Sequence, residues 1–307
     1  MSDWKSSATQ ATGVGSGIPF SLASMRDMMS EIIGDYFHST TTADGNEDKT
    51  TLIDSALAGY PNDYFGGVNN SKYVYITSGD AAGEERIISD FVSSSGTITV
   101  SAAFSAQIVS DVTYEIHSYS VGDKKRAVNL ALWDAYPYYY KLVEDTSLKP
   151  QGYDDNEYDI PATFDIEYPS QIWLVKTNAT TGKITHTRVD PRGIEFKKVS
   201  GNRKFYANLA EDPADETVIW LRGKTHLTQF TTDISTTDVD TNDQMRIICY
   251  KAISNLYKFE TVKINGQGYQ RLQDLANEFE GRFLSGIRQN PMPSLIDQIA
   301  EDFSWEN

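Results

Sequence analysis

A helical stripe that runs straight into a proline is the tightest local constraint in this chain. Between Val121 and Asp145, the residues Val128, Leu132, Ala135 and Tyr136 recur at steps of three and four, with Asp123, Arg126, Asn129 and Asp134 falling largely between them. Asp123 is placed to cap the helix start, where a carboxylate accepts backbone N–H bonds that a helix leaves unmet. Pro137 lacks a donor and its ring clashes with the preceding turn, so the regular helix kinks or ends at Tyr136. Tyr138, Tyr139 and Tyr140 follow directly. Their rings pack either on the chain's own sheet or on a neighbouring subunit, which makes them intersubunit candidates. The segments on both sides read as strands or as helices with one apolar face, so this helix is expected to be the central rod of a helical core.

Residues 1–18 are rich in Ser, Thr and Gly and read as a flexible arm. A first core helix falls in 19–46: Ser21 is its cap, Phe20 and Met25 stand at staple positions, and Leu22, Met25, Met29, Ile32, Ile33 and Tyr36 make its stripe to about Phe37. From 47 to 118 the period changes to two, with strands at 72–77, 85–91, 97–101 and 112–117 punctuated by Gly79, Gly83 and Gly96. This spacing predicts a small antiparallel barrel or sandwich inserted between two helices. The central helix takes 119–150. A second β-region covers 151–235, with strands at 171–176, 183–188, 203–207 and 217–222 and a hairpin turn at 178–182. Its half-buried alternation predicts one face packed on the helices.

The last two core helices occupy 236–289. Residues 241–244 fit a capping box, and the stripes run Met245, Ile248, Cys249, Ala252, Ile253, Leu256, Phe259 and then Tyr269, Leu272, Leu275, Ala276, Phe279, Phe283, Ile287. Pro291 and Pro293 stop the second of these. Residues 290–307 form a C-terminal docking tail whose apolar side chains are Leu295, Ile296, Ile299, Phe303 and Trp305. A helix that short is not stable alone and wants a partner. The expected fold class is therefore α+β: a helical-bundle core with an inserted small antiparallel β-barrel or sandwich, a second antiparallel β-sheet region, an extended N-terminal arm and a C-terminal tail.

Charge and composition narrow the chemistry. The 307 residues carry 27 Lys and Arg against 43 Asp and Glu, a net charge of −16, which argues against gripping nucleic-acid phosphates. Cys249 is the sole cysteine and lies on a buried stripe, where packing outweighs thiol chemistry. No run of about 18 apolar residues exists, and the first residues lack the apolar core of a signal peptide, so cytoplasmic synthesis without a membrane span is expected. Asp44, Asn46 and Asp48, like Asp238, Asp240 and Asn242, have the spacing of calcium-loop ligands, but position six lacks Gly and position twelve holds Ser55 or Cys249 in place of Glu. Both read as solvated linker. His38, His117, His186 and His226 are scattered without metal-ligand spacing. The pair Asp154 and Asp155 has the residue types of a glycosidase but sits in an acidic connector. Lys124, Lys125 and Arg126 read as a solvated first helical turn or an intersubunit ion pair. No catalytic residue, cofactor or metal site is expected.

Two sets of motifs carry a resemblance. Asp63-Tyr-Phe-Gly66, Ile76-Thr-Ser-Gly79, Gly83-Glu-Glu-Arg-Ile87 and Ile98-Thr-Val100 resemble a β-module scattered through virion proteins of tailed bacteriophages. The layout as a whole, with Arg126-Ala-Val-Asn-Leu-Ala-Leu-Trp-Asp-Ala-Tyr-Pro137, Trp220-Leu-Arg-Gly223 before the Asp-rich stretch 233–243, and Ile248-Cys-Tyr-Lys-Ala-Ile-Ser-Asn-Leu-Tyr257, is similar to the head-to-tail adaptor (neck) proteins of those phages. The inserted β-module departs from the smallest, all-helical adaptors. The resemblance implies a non-enzymatic structural protein of the virion neck: a homo-oligomeric ring, usually a dodecamer, that joins the portal protein to the tail or a second neck protein, docks by its C-terminal tail and lets genome DNA pass without specific binding. The rivals are a tail-associated fibre or receptor- and glycan-binding protein, and last a glycan-cleaving enzyme.

Overall fold

The computed structural model describes residues 20–66, 72–150, 156–164, 167–209, 215–239, 241–263 and 267–292. They fall into two units, Met1–Asp134 with Gln229–Asn290 and Ala135–Thr228 with Pro291–Asn307.

In the first unit, helix α1 (Leu22–Ile33) starts where Ser21 Oγ accepts the Ser24 N–H at 3.2 Å and stops at Gly34, left-handed at φ 72. Two further N–H groups of its first turn, on Leu22 and Ala23, donate to the carbonyls of Ser235 and Asp233, so the 233–237 loop satisfies donors that the helix cannot. Six short strands follow: β1 (His38–Thr40), β2 (Thr51–Ile53), β3 (Tyr73–Ile76), β4 (Glu85–Val92), β5 (Thr97–Val100) and β6 (Thr113–His117). They form one open antiparallel sheet in the order β1-β6-β3-β4-β5-β2, and the chain just after β1 touches β2 through the isolated bridge of Ala43 with Ile53. Phe65, Val74, Ile76, Ile88, Phe91 and Ile98 are among the side chains buried in its core. Strands β3 and β6 are buried on both faces, because Val74, Ile76, Tyr114 and Ile116 enter that core while Tyr75, Glu115 and His117 are buried on the opposite side.

Three more helices complete the unit: α2 (Val121–Asp134), α3 (Asn242–Thr261) and α4 (Gln267–Gln289). The central rod is α3, not α2. Helix α3 packs against α1, α2 and α4, and Ile248, Cys249, Ala252, Ile253 and Leu256 have no exposed surface. Thr241 caps it, its hydroxyl accepting the Gln244 N–H at 3.2 Å. Helix α2 keeps an exposed side carrying Leu130 and Trp133. Its start is capped by Ser120, whose hydroxyl accepts the Asp123 N–H at 3.0 Å, while the Asp123 carboxylate instead meets Lys263 at 2.8 Å.

The second unit is a sandwich. Strands β7 (Lys141–Leu148), β9 (Gln171–Asn178), β10 (Ile184–Arg188) and β13 (Asp215–Thr225) form a four-stranded sheet in the order β10-β9-β13-β7. Strands β8 (Glu157–Asp159), β11 (Ile194–Val199) and β12 (Asn202–Ala207) form a three-stranded sheet in the order β11-β12-β8. Ile172, Ile219 and Leu221 from the first share a core with Tyr158, Phe205 and Ala207 from the second. The buried face of this β-region thus meets another sheet.

The expected helical-bundle core with an inserted barrel or sandwich is therefore incorrect. Among the described residues thirteen strands in three open antiparallel sheets outnumber four helices. Strands β1, β2 and β8 are three residues long, too short to show a period, and β7 begins four residues after Pro137, inside the stretch assigned to the central helix. The arm and residues 293–307 of the docking tail lie outside the described residues.

Gly96 tests the turn between β4 and β5. It stands at φ 63, and a Cβ there would lie 1.9 Å from the Asp54 carbonyl oxygen. Gly96→Ala adds left-handed strain to a backbone clash and should cost about 2–4 kcal/mol, measured as a drop in urea midpoint.

Candidate functional site

The densest set of ionisable groups is buried where α1 and α2 meet the outer face of β3 and β6. Arg26 extends from the buried stripe of α1 and donates from Nε and Nη2 to the two Glu115 oxygens, each at 3.1 Å. Its Nη1 donates to Asp233 at 2.8 Å, and its guanidinium lies 4.8 Å from the Tyr75 ring centre. The Tyr75 hydroxyl donates to the same Asp233 oxygen at 2.5 Å. Glu115 also contacts His117 Nε2 at 2.8 Å. Lys124, with no exposed surface, spends its three donors on Ser30 Oγ at 2.8 Å, Asp35 Oδ2 at 3.0 Å and His117 Nδ1 at 2.9 Å. An ammonium facing Nδ1 and a carboxylate facing Nε2 select the neutral imidazole with its proton on Nε2.

The electrostatics follow from that wiring. Burial alone would raise Glu115, but the hydrogen bond from His117 and the guanidinium of Arg26 hold it down to about 2. Burial lowers His117 and Lys124, the latter against the pull of Asp35. Asp27, one residue beyond Arg26, is pushed up to about 6 by burial and by the nearby charge of Glu115, and its Oδ1 is buried without a hydrogen-bond partner. Every strong donor and acceptor of the cluster except Asp27 Oδ1 points at another protein group. The arrangement clamps two helices to a strand; it leaves no acid, base or nucleophile facing a cleft.

A second ionic knot joins α3 to α4, where Glu280 accepts from Lys251 at 2.6 Å, Lys258 at 2.9 Å and Ser254 at 3.0 Å. Burial opposes ionisation there, yet the two lysines hold Glu280 down to about 2. Two shallow depressions occur in the sandwich, one lined by Ile172, Arg188, Val189 and Phe196, the other by Asp159, Asn202 and Arg203. Neither brings two carboxylates or a nucleophile and a base together.

The structure separates the sequence candidates. Tyr139 and Tyr140 are 2% and 3% exposed, with Lys224 stacked 4.0 Å from the Tyr140 ring centre, whereas Tyr138 is 50% exposed. Of the three rings, Tyr138 alone presents a broad surface. Lys124 is neither on a solvated turn nor between subunits; Lys125 donates to the Thr231 carbonyl, and Arg126 lies 4.7 Å from the Phe259 ring centre. Asp44 accepts the Ser110 N–H at 2.8 Å, joining two loops, and Asn46 accepts that of Thr50 at 3.0 Å within its own turn, so both satisfy backbone donors. Among the described residues no group of three His, Cys, Asp or Glu is placed to hold a metal ion, and no helix is long and apolar enough to cross a membrane. Asp154, Asp155, Asp240, Leu295, Ile296, Ile299, Phe303 and Trp305 lie outside the described residues. The clamp was missed although its signal was present: Lys124 and Arg26 occupy apolar-stripe positions, four residues from Val128 and Leu22.

Two substitutions test the clamp in opposite directions. Glu115 is held below its usual 4.5, so its contribution is complete above 4.5 and lost as pH falls toward about 2. Glu115→Gln should cost about 3–5 kcal/mol at neutral pH and flatten that acid limb in thermal melts. Asp27 is raised from 3.8 to about 6, so its ionisation destabilises the fold as pH rises through that window. Asp27→Asn should therefore gain about 1–2 kcal/mol at neutral pH, after allowance for its partial exposure, and nothing below pH 3.8.

No protein-family model matches the chain, and no curated protein matches it.

Proposed function

We propose that this chain is a non-enzymatic structural protein of a tailed-phage virion, a head-to-tail adaptor that joins the portal to the tail as a ring. The observation that carries the reading is the use of the ionisable side chains. The strongly perturbed groups Arg26, Glu115, His117, Lys124 and Glu280 hold helices to strands and to each other, which suits a rigid building block rather than a reaction centre. The element order supports it too: a helix, a β-module of six strands, a helix, a β-region and two further helices follow one another as the resemblance implies. Exposed Leu130, Trp133 and Tyr138 offer apolar surface of the kind protein contacts use. A net charge of −16 keeps a free subunit soluble and repels passing DNA. A receptor-binding role for the six-stranded module is less favoured. Its aromatic group centres on Phe65 at 1% exposure, and Tyr64, 43% exposed, is packed at 4.9 Å on both Tyr60 and Phe65 with Lys72 over its ring.

Light scattering on the purified chain, alone and with portal, tests this. At physiological ionic strength a monomer should assemble into a ring on portal, and deletion of 290–307 should abolish assembly. Phe303→Ala or Trp305→Ala should each weaken portal binding about tenfold or more. A stable trimer indifferent to portal would replace the adaptor reading with the fibre one.

A further inference from the structure

Charge is strongly segregated along the chain. Residues 171–209 hold eight Lys or Arg against two Asp or Glu, a net +6 inside a chain of net −16, so the remainder carries −22. Residues 38–117, by contrast, hold three basic residues against eleven acidic ones, a net −8.

The fold exposes, wholly or in part, most of the charges of both segments, although Asp54 and Glu115 of the acidic one are buried. Residues 171–209 are β9 to β12, and two of these strands are open edges: β10 ends the four-stranded sheet and β11 ends the three-stranded one. All five residues of β10 are exposed. Some of the basic side chains are locally neutralised, Arg192 by Asp190 at 2.9 Å, Lys197 by Glu195 at 2.8 Å and Lys204 by Glu157. Lys176, Lys183, Arg188 and Lys198 form no ion pair among the described residues. Arg188 stands opposite Trp173 in the ladder, and Trp173 opposite Trp220, so the cationic edge adjoins an aromatic row. On the six-stranded module, Asp63, Asp80, Asp90 and Asp111 are exposed and likewise unpaired among the described residues.

We propose that the basic β10–β11 edge of one copy docks on the acidic six-stranded module of a second copy, head to tail. This rests on the ring reading, because it takes a second copy as the occupant. Opposite fields of this size steer association and fix its orientation. Two β10 edges facing each other would set cation against cation, so a two-fold contact through this surface is opposed and a heterologous one favoured. One or two lysines suffice to guard an edge strand from aggregation, whereas β10 and its flanks carry unpaired Lys183 and Arg188, the latter opposite the Trp173–Trp220 pair, with unpaired Lys198 on the second open edge. A long polyanion fits less well, since a chain of net −16 repels it overall.

The test uses the full chain in two triple variants: Lys183→Glu with Arg188→Glu and Lys198→Glu, and Asp63→Lys with Asp80→Lys and Asp90→Lys. Far-UV circular dichroism checks that each folds; Lys→Gln and Asp→Asn versions replace any that does not. Sedimentation at about 0.05 M salt should show the wild type self-associating, and at about 0.5 M roughly tenfold more weakly. Each variant alone should sediment as a monomer, and an equal mixture of the two should recover association, because every module then finds a sandwich of opposite sign. Wild-type association that both variants retain would overturn the edge assignment and leave the ring reading standing. Self-association unchanged in the basic-edge variant but loss of binding to a DNA duplex would assign the edge to phosphate instead. A wild type monomeric at every salt concentration would overturn the contact, and failure to assemble on portal as well would remove the ring reading.

Discussion

The bidentate contact of Arg26 with Glu115, extended through His117 to Lys124 and Asp35, is what the first unit is built around. Each member has little or no exposed surface except where Asp233 closes the end at 31% side-chain exposure. A buried charge without a partner costs several kcal/mol, so α1, α2 and β6 are obliged to keep one relative arrangement for all the pairs to survive. Such a network adds little net stability over an apolar core of the same volume. What it contributes is discrimination: any sliding of α1 along the sheet strands two fixed charges at once.

The clamp also explains why the six-stranded sheet is buried on both faces near β3 and β6. Alternation sends Val74, Ile76, Tyr114 and Ile116 into the module's own core and leaves Tyr75, Glu115 and His117 for the helices. A strand that serves two cores cannot show the simple apolar–polar alternation of a half-exposed sheet, and β6 indeed carries a glutamate and a histidine with 5% and 1% exposure. On the other side of the helical layer, α3 takes the central place because apolar or small residues cover nearly its whole circumference, while α2 keeps an open side at Leu130 and Trp133.

Much of the local structure was legible from residue spacing. The stripes and caps of α1 and α3, at Ser21 and Thr241, appear where spacing places them, as do β3, β4, β5, β6, β9, β10, β12 and β13 to within a few residues. The failures have separate physical causes. Strands β1, β2 and β8 are too short to carry a period, β11 escaped because adjacent Lys197 and Lys198 break its alternation, and β7 follows a proline in a stretch that continues a helical pattern. Of the candidate site residues, burial divides the three tyrosines, and the clamp cations show in sequence only as charges on apolar stripes, because Glu115 and Asp35, their carboxylate partners, stand 89 residues away and outside any short window.

By itself the sequence determined where α1, α3 and most of the longer strands begin, which side of those helices is apolar, and that positive charge is concentrated in 171–209. These follow from interactions within one turn or one strand, so a short window contains them. Only the tertiary structure decided that α3 is the rod, that the second β-region packs sheet on sheet, that Lys124 is buried while Tyr138 is not, and that the basic segment supplies two open sheet edges. Those outcomes depend on which apolar face meets which across long loops, a choice set by total burial and charge pairing over the whole chain.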